Sequence, residues 1–396
     1  MTRFYSSVVI LSVSGAAFLV NPTKVESACC YFSAKEKDVL QPGQKAFLTW
    51  DPAEKVETFT VQPKFEGNAS DFGMVIPTPS QPKLDEMPRD FFKELAVFTI
   101  LEPMDLTKYK RIMRMAGAGR GGMAPGAMAR DRGVRVLEAG IVGSLDYKVI
   151  QAEQARDLFT WLKDNKYSYA GDVDTLDFYI KRKWFFTVMK IDPMQMKKRA
   201  DGSFEGEVTP TRFRFASDEL IYPLKITQIS VKDQTEALLY VQAPHKMDLA
   251  DDFSYEWTFT PLWSQATGFA IPEKLTAEET TWQKKASPLL QHCNEKSNAI
   301  HQQGFQPATL EWAKKLTAKD MAVIDGSAPY NRQAPKADID NLKLLRGHLK
   351  QGQFVTKIRK VFNKREMNGD LTFVRARLGR DVDNMEYFAM LPTSPP

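Results

Sequence analysis

The runs Ala46-Phe47-Leu48-Thr49-Trp50, Phe59-Thr60-Val61 and Phe72-Gly73-Met74-Val75-Ile76 decide the fold class. Apolar residues take every second position: Ala46, Leu48 and Trp50, then Phe59 and Val61, then Phe72, Met74 and Ile76. Alternation of period two gives each run one core face, and the breaks at Pro42-Gly43, Asp51-Pro52 and Gly67-Asn68 supply turns. The segment therefore predicts a β-meander. The third run ends in Pro77-Thr78-Pro79-Ser80, where the missing N–H groups exclude a central strand.

A helical period follows. Pro88 opens a segment with Phe91, Leu95 and Phe98 on one side, and Ala155, Leu158, Phe159 and Leu162 stand at i, i+3, i+4 and i+7. Leu176 and Ile180 mark a third helix after Asp174. Between and beyond them the sequence predicts strands on either side of Gly143 within Val134–Ile150, and a buried one at Trp184–Val188. Leu224–Ile226 and Leu239–Val241 read as an antiparallel pair across Asp233, and the alternation Tyr255-Trp257-Phe259 gives one more strand. From about Lys274 the chain reads as helical and polar, with Leu310, Ala313 and Leu316 after Pro307, then Leu342, Leu344 and Leu345. Helices and strands mix without a βαβ rhythm, which predicts an α+β fold of mixed antiparallel sheet regions with amphipathic helices.

The pattern fails between 108 and 133. Met115-Ala116-Gly117-Ala118-Gly119-Arg120-Gly121-Gly122-Met123-Ala124-Pro125-Gly126 has small residues and no apolar period, so a flexible Gly/Met-rich loop is expected. The organisation that follows is a leader over 1–27, a β-rich part over 28–107, the loop over 108–133, an α+β part over 134–273 and a mainly helical part over 274–396.

Composition bounds the function. The 396 residues are 43% hydrophobic and 26% charged, with 54 Lys+Arg against 49 Asp+Glu and a net charge of +5. These values exclude global disorder and give no reason to expect nucleic acid as a partner. Arg3 precedes a largely apolar run from Val8 to Val20, followed by Asn21-Pro22-Thr23-Lys24-Val25-Glu26-Ser27. This is the pattern of a secretory signal peptide, too short to span a bilayer of roughly 20 residues. Cleavage after Ser27 would leave a chain without a transmembrane anchor, in the periplasm or outside the cell, where thiols oxidise.

Three cysteines enter that compartment: Cys29, Cys30 and Cys293. An odd number leaves one over. The favoured arrangement bridges Cys29 or Cys30 to Cys293, and a vicinal Cys29–Cys30 bridge of redox character is the alternative. A second candidate set is cationic: Lys108, Lys110, Arg111, Arg114, Arg120, Arg130, Arg132 and Arg135 face only Asp131, a local charge of +7. Such a loop could meet an acidic envelope component such as a lipid headgroup, with Met113, Met115, Met123 and Met128 adding apolar contact; the simpler reading is a solvated, self-repelling loop.

Other motifs dissolve in context. Gly117-x-Gly119-x-x-Gly122 matches a dinucleotide fingerprint, with Glu138 placed as a ribose acid, but Pro125-Gly126 follows where a helix must begin. His245, His292, His301 and His348 have no metal-binding spacing and no nucleophile elbow near them. Asp172/Asp174, Asp251/Asp252, Asp338/Asp340 and Asp381/Asp383 read as caps and turns. No cofactor and no metal is expected.

Several blocks carry a resemblance. They are Cys29-Cys30 after the leader, Asp71-Phe72-Gly73-Met74-Val75-Ile76-Pro77, the Gly-rich gap, and Phe159-Thr160-Trp161-Leu162 before Asn165-Lys166-Tyr167. Phe215-Ala216-Ser217-Asp218-Glu219-Leu220-Ile221-Tyr222-Pro223-Leu224, Thr356-Lys357-Ile358-Arg359 and Met367-Asn368-Gly369-Asp370-Leu371-Thr372-Phe373 complete the set. In this order they resemble the bacterial secreted "domain of unknown function" family numbered 2330, over about residues 28–375. The resemblance implies an exported protein and one family unit, and it brings no catalytic residues. The leading expectation is a non-enzymatic binding or interaction protein of a bacterial envelope, partnered by an acidic component or another envelope protein. Its alternative is a thiol-redox or metal-handling protein using Cys29, Cys30 and Cys293; a hydrolase with scattered catalytic groups is the third.

Overall fold

The computed structural model describes residues 31–34, 39–67, 72–100, 133–142, 145–165, 173–191, 197–198, 204–207, 209–255, 299–300, 302–306, 308–330 and 336–376. Side chains are described within 44–62, 73–100, 145–165, 173–190 and the segments from 209 onward.

The alternating runs form the strands expected of them. β1 (Tyr31–Ala34), β4 (Phe72–Thr78), β6 (Gly133–Val142), β7 (Leu145–Gln154) and β8 (Phe185–Ile191) make an antiparallel sheet in the order β1-β4-β8-β7-β6. A second sheet contains β2 (Val39–Asp51), β3 (Val56–Gly67), β5 (Lys83–Glu86), β9 (Lys197–Lys198), β10 (Phe204–Glu207), β11 (Thr211–Ala216), β13 (Gln234–Ala243), β15 (Thr309–Lys315) and β16 (Phe354–Asn363). Its spine runs β15-β16-β13-β2-β3-β10-β9, with β11 bridging β3 to β5. The pairing is antiparallel except between β13 and β2, where Gln44 lies beside Ala237. β12 (Ile221–Tyr222), β14 (Met247–Leu249) and β17 (Leu371–Arg375) form a small third sheet. Strands from before residue 107, from 134–273 and from beyond 274 thus share the large sheet.

Alternation sorts the side chains into layers. Met74, Ile76, Leu145 and Met189 from the five-stranded sheet join Ala46, Leu48, Phe59, Val61, Phe213, Leu239 and Ile358 of the large sheet in one core. The opposite face of the five-stranded sheet offers Val75, Ile150, Phe186 and Val188 to α2 (Ala155–Asp164) and α3 (Val173–Ile180). The opposite face of the large sheet offers Phe47, Leu238, Tyr240 and Val355 to α1 (Phe91–Phe98) and to the short helices at Ala318–Ile324 and Leu342–Leu345. The α+β fold is therefore a stack of helices, sheet, sheet and helices.

Local chemistry explains the turns. Between β2 and β3, Asp51 Oδ1 accepts the N–H groups of Ala53 at 3.0 Å and Glu54 at 3.2 Å, and Lys55 takes φ +52°. Thr317 and Asp320 form a reciprocal capping box at the helix Ala318–Ile324.

Four expectations change. The meander stops after β3, because β4 crosses to the other sheet and pairs with β1 and β8. Its Pro77 lies past the residues paired with the described part of β1, opposite Phe186 of β8. Leu224–Ile226 is not a strand: Lys225–Ser230 is a 3-10 helix, and β13 pairs instead with β16 and β2. The segment with Leu310, Ala313 and Leu316 is strand β15 rather than helix. A bulge between Leu310 and Trp312 shifts the phase, so Leu310, Trp312 and Ala313 are all buried and imitate a three-residue period. The part beyond 274 accordingly contributes strands β15, β16 and β17, and its described helices are short. Trp257 and Phe259 lie outside the described residues, as do the leader and residues 108–132 of the expected loop.

Candidate functional site

Ionised groups gather on the α1 side of the large sheet. β16 sends Val355, Lys357 and Arg359 to this face, and its register sets Lys357 between Tyr240 of β13 and Trp312 of β15. Arg359 lies opposite Leu238, diagonal to Glu236. Cross-strand neighbours of this kind are within reach of long side chains. Arg359 donates through Nε to Glu311 and through Nη1 to Glu236, and Lys357 Nζ stands 3.0 Å from Glu311 Oε2. Burial opposes charge on Glu311, but Arg359 and Lys357 outweigh it and hold the carboxyl below its usual range. The ladder is therefore a fixed set of ions that braces three strands.

Aromatic donors lie beside it. Tyr240 and Trp312 are buried, with ring centroids 6.3 Å from Phe92 and 6.1 Å from Phe98 of α1. The Trp312 indole N–H has no hydrogen-bond partner, and the Tyr240 hydroxyl lies against the Thr99 side chain. Burial raises the Tyr240 hydroxyl above its ordinary range, so it stays a neutral donor. Tyr330 donates its hydroxyl to the Val97 carbonyl and Thr99 donates to Leu95 at 2.8 Å, closing the last turn of α1. A buried indole hydrogen without an acceptor, next in sequence to the paired carboxylate of Glu311, leaves this region able to receive a polar acceptor.

Elsewhere, burial works against the charge of two acids. Glu57 on β3 accepts Ile221 N–H at 3.0 Å through Oε2, while its Oε1 has no partner, and burial raises it well above the carboxylate range. Glu94 of α1 has a side chain with no solvent exposure; its Oε1 lies 4.0 Å from Lys93 Nζ, and neither oxygen has a hydrogen-bond partner. Burial raises it too, with Lys93 opposing and Asp338 and Asp90 adding to the shift. His348 packs on Phe91 at 5.3 Å, and Arg212 reaches its Nδ1 at 3.3 Å while holding Asp85 at 3.1 Å. A guanidinium only donates, so Nδ1 accepts and Nε2 carries the proton. Burial and Arg212 lower the His348 pKa, which keeps the ring neutral.

The residues singled out from sequence are placed only in part. Cys29, Cys30 and Cys293 lie outside the described residues, as do Lys108, Lys110, Arg111, Arg114, Arg120, Arg130 and Arg132. Arg135 sits in β6 opposite Gln151 of β7. His292, His301, Asp172, Asp381 and Asp383 are also outside the description. Asp174 is in the first turn of α3, and Asp251 and Asp252 start a 3-10 helix. Asp338 pairs with Lys93 at 2.5 Å. Among the described residues no three His, Cys, Asp or Glu side chains converge to hold a metal ion. None of them forms a helix long and apolar enough to cross a membrane. The ladder residues are not legible in the sequence because they come from three different strands; the available sign is Lys357 and Arg359 at every second position of β16.

The fold and its buried ion pairs define an α+β protein of two stacked sheets whose charged interior groups brace strands. The chain matches, over residues 24–374, the model of a family described as uncharacterized protein conserved in bacteria (DUF2330), and it belongs to that family. No curated protein and no solved structure matches it.

Proposed function

We propose that this is an exported bacterial envelope protein that works by binding, and that its partner is an acidic envelope component met by Lys108, Lys110, Arg111, Arg114, Arg120, Arg130, Arg132 and Arg135. The leader pattern of residues 1–27 supports export. The observation that carries the binding reading is the charge of +7 over residues 108–135, which lie between α1 and the start of β6 in the sequence.

Anionic vesicles containing phosphatidylglycerol, compared with zwitterionic vesicles, test this. The exported protein should sediment with the anionic set, and substituting Gln for Lys108, Lys110, Arg111 and Arg114 together should weaken that by about a hundredfold or more, at roughly 1 kcal/mol per cation. Equal binding to both vesicle types, or no effect of the four substitutions, would count against the proposal.

A further inference from the structure

We propose that Asp370 acts as a proton-operated latch that fastens the α2–α3 layer to the sheets when its carboxyl is neutral and slackens it when the carboxyl ionises. This inference does not rest on the binding reading. Three segments converge on the side chain. The Tyr179 hydroxyl of α3 donates to Asp370 Oδ1 at 2.6 Å, and the Lys225 N–H at the start of the 3-10 helix donates to the same oxygen at 3.0 Å. The Tyr179 oxygen in turn accepts the Ile226 N–H at 2.9 Å. Asp370 itself stands immediately before β17, which pairs with β12 and β14. One carboxyl thus ties the outer helix layer to the 3-10 helix and to the small sheet.

The second oxygen makes the tie sensitive to protons. Asp370 Oδ2 is buried and has no partner. An ionised carboxyl must leave negative charge on an oxygen that meets neither water nor a donor, which is costly; a neutral one places its hydrogen there. Tyr179, Arg182 and Lys225 are the titratable groups that face it. Arg182 is engaged elsewhere, stacked 3.5 Å from the Phe178 ring centroid with Nη1 donating to the Phe178 carbonyl at 2.8 Å, and the Lys225 ammonium lies 5.4 Å from the same ring. Burial outweighs these cations and the two hydrogen bonds and lifts the carboxyl from 3.8 to about 6. A folded value above the unfolded one means that the stabilisation is complete below the unfolded value and is lost as pH rises toward and through the folded one.

Hydrogen exchange on the full chain, corrected for the pH dependence of the chemical step, tests the latch at pH 5 and pH 8. Opening of the amides in α3 and Lys225–Ser230 should rise by about tenfold between the two, and amides of β13 and β16 should change far less. Asp370→Asn retains the acceptor and supplies a neutral N–H group in place of Oδ2. It should be at least as protected as the wild type at pH 5 and lose most of the rise. If that variant does not fold, the wild-type pH series decides, with a transition near pH 6 expected in those two segments. No rise, a rise spread evenly over the sheets, or an undiminished rise in Asp370→Asn would overturn the proposal.

Discussion

Lys360 Nζ lies 2.8 Å from Glu366 Oε1, and the two side chains keep only 2% and 5% of their exposure. The ammonium also donates to the Gln306 carbonyl at 2.6 Å and sits 4.8 Å and 5.5 Å from the ring centroids of Phe362 and Phe253. Burial lowers the Lys360 pKa while the Glu366 carboxylate resists the shift, so the ammonium depends on this partner. Glu366→Gln should destabilise the fold by about 3–5 kcal/mol, since it strands a buried cation. Lys360→Met combined with Glu366→Gln should cost clearly less than Glu366→Gln alone. Urea unfolding of the variants checks the order, and an equal cost would show that the pairing contributes nothing.

Glu57 gives a pH dependence of known sign. Its carboxyl is raised by burial, with the Ile221 N–H opposing and Glu219 adding to the shift, so the folded state favours the neutral form. Its contribution is complete in acid, below the ordinary value of 4.5, and declines as pH rises above it. Glu57→Gln preserves an acceptor for Ile221. Thermal unfolding should show the variant more stable than wild type at pH 8, by on the order of 1–3 kcal/mol for the relieved buried group, and level with it near pH 4. The reverse ordering would mean that Glu57 is ionised in the fold.

Asp51 directs the β2–β3 turn through two backbone hydrogen bonds. Asp51→Ala removes both while leaving the strand register to the core residues Leu48 and Phe59, which face each other. A loss of about 1–2 kcal/mol is expected, in the range for local caps, with far-ultraviolet dichroism unchanged. A broken register would appear instead as a lower denaturant slope.

The cysteines are tested by mass. Protein exported by a bacterial host and alkylated without reductant should weigh two hydrogens less than the chain from Ala28 and carry one alkyl group, on the expectation that Cys293 bridges to Cys29 or Cys30. Three alkyl groups would rule the bridge out.

How far the sequence could be read depended on whether a residue's partners were near it in the chain. Ala155, Leu158 and Leu162 declare a helix by spacing alone, and Phe59 with Val61 declares a strand. The sheet to which β4 belongs was not legible, because it is settled by contact with β8, and Met74 meets Met189 only in the fold. β15 was misread because a single bulge is enough to turn a period of two into a false period of three. Lys360 escaped notice as a buried ion since nothing in Arg359-Lys360-Val361 says that Glu366 will return to it around the turn at Lys364. Tyr179 and Asp370 are further apart still, and their bond needs three elements to be placed first.

The parallel seam between β2 and β13 has a consequence for how the chain is made. β2 emerges early and pairs at once with β3, yet its other edge must wait for Ala237 to reach Gln44. Until then the nascent hairpin carries an open row of N–H and C=O groups flanked by Phe47 and Leu48, a surface on which other chains can add strands. Closing so distant a contact is slow. Fragments that end before β13 should therefore aggregate, and the step that commits the protein to its native state should be the arrival of β13 and β16 against β2.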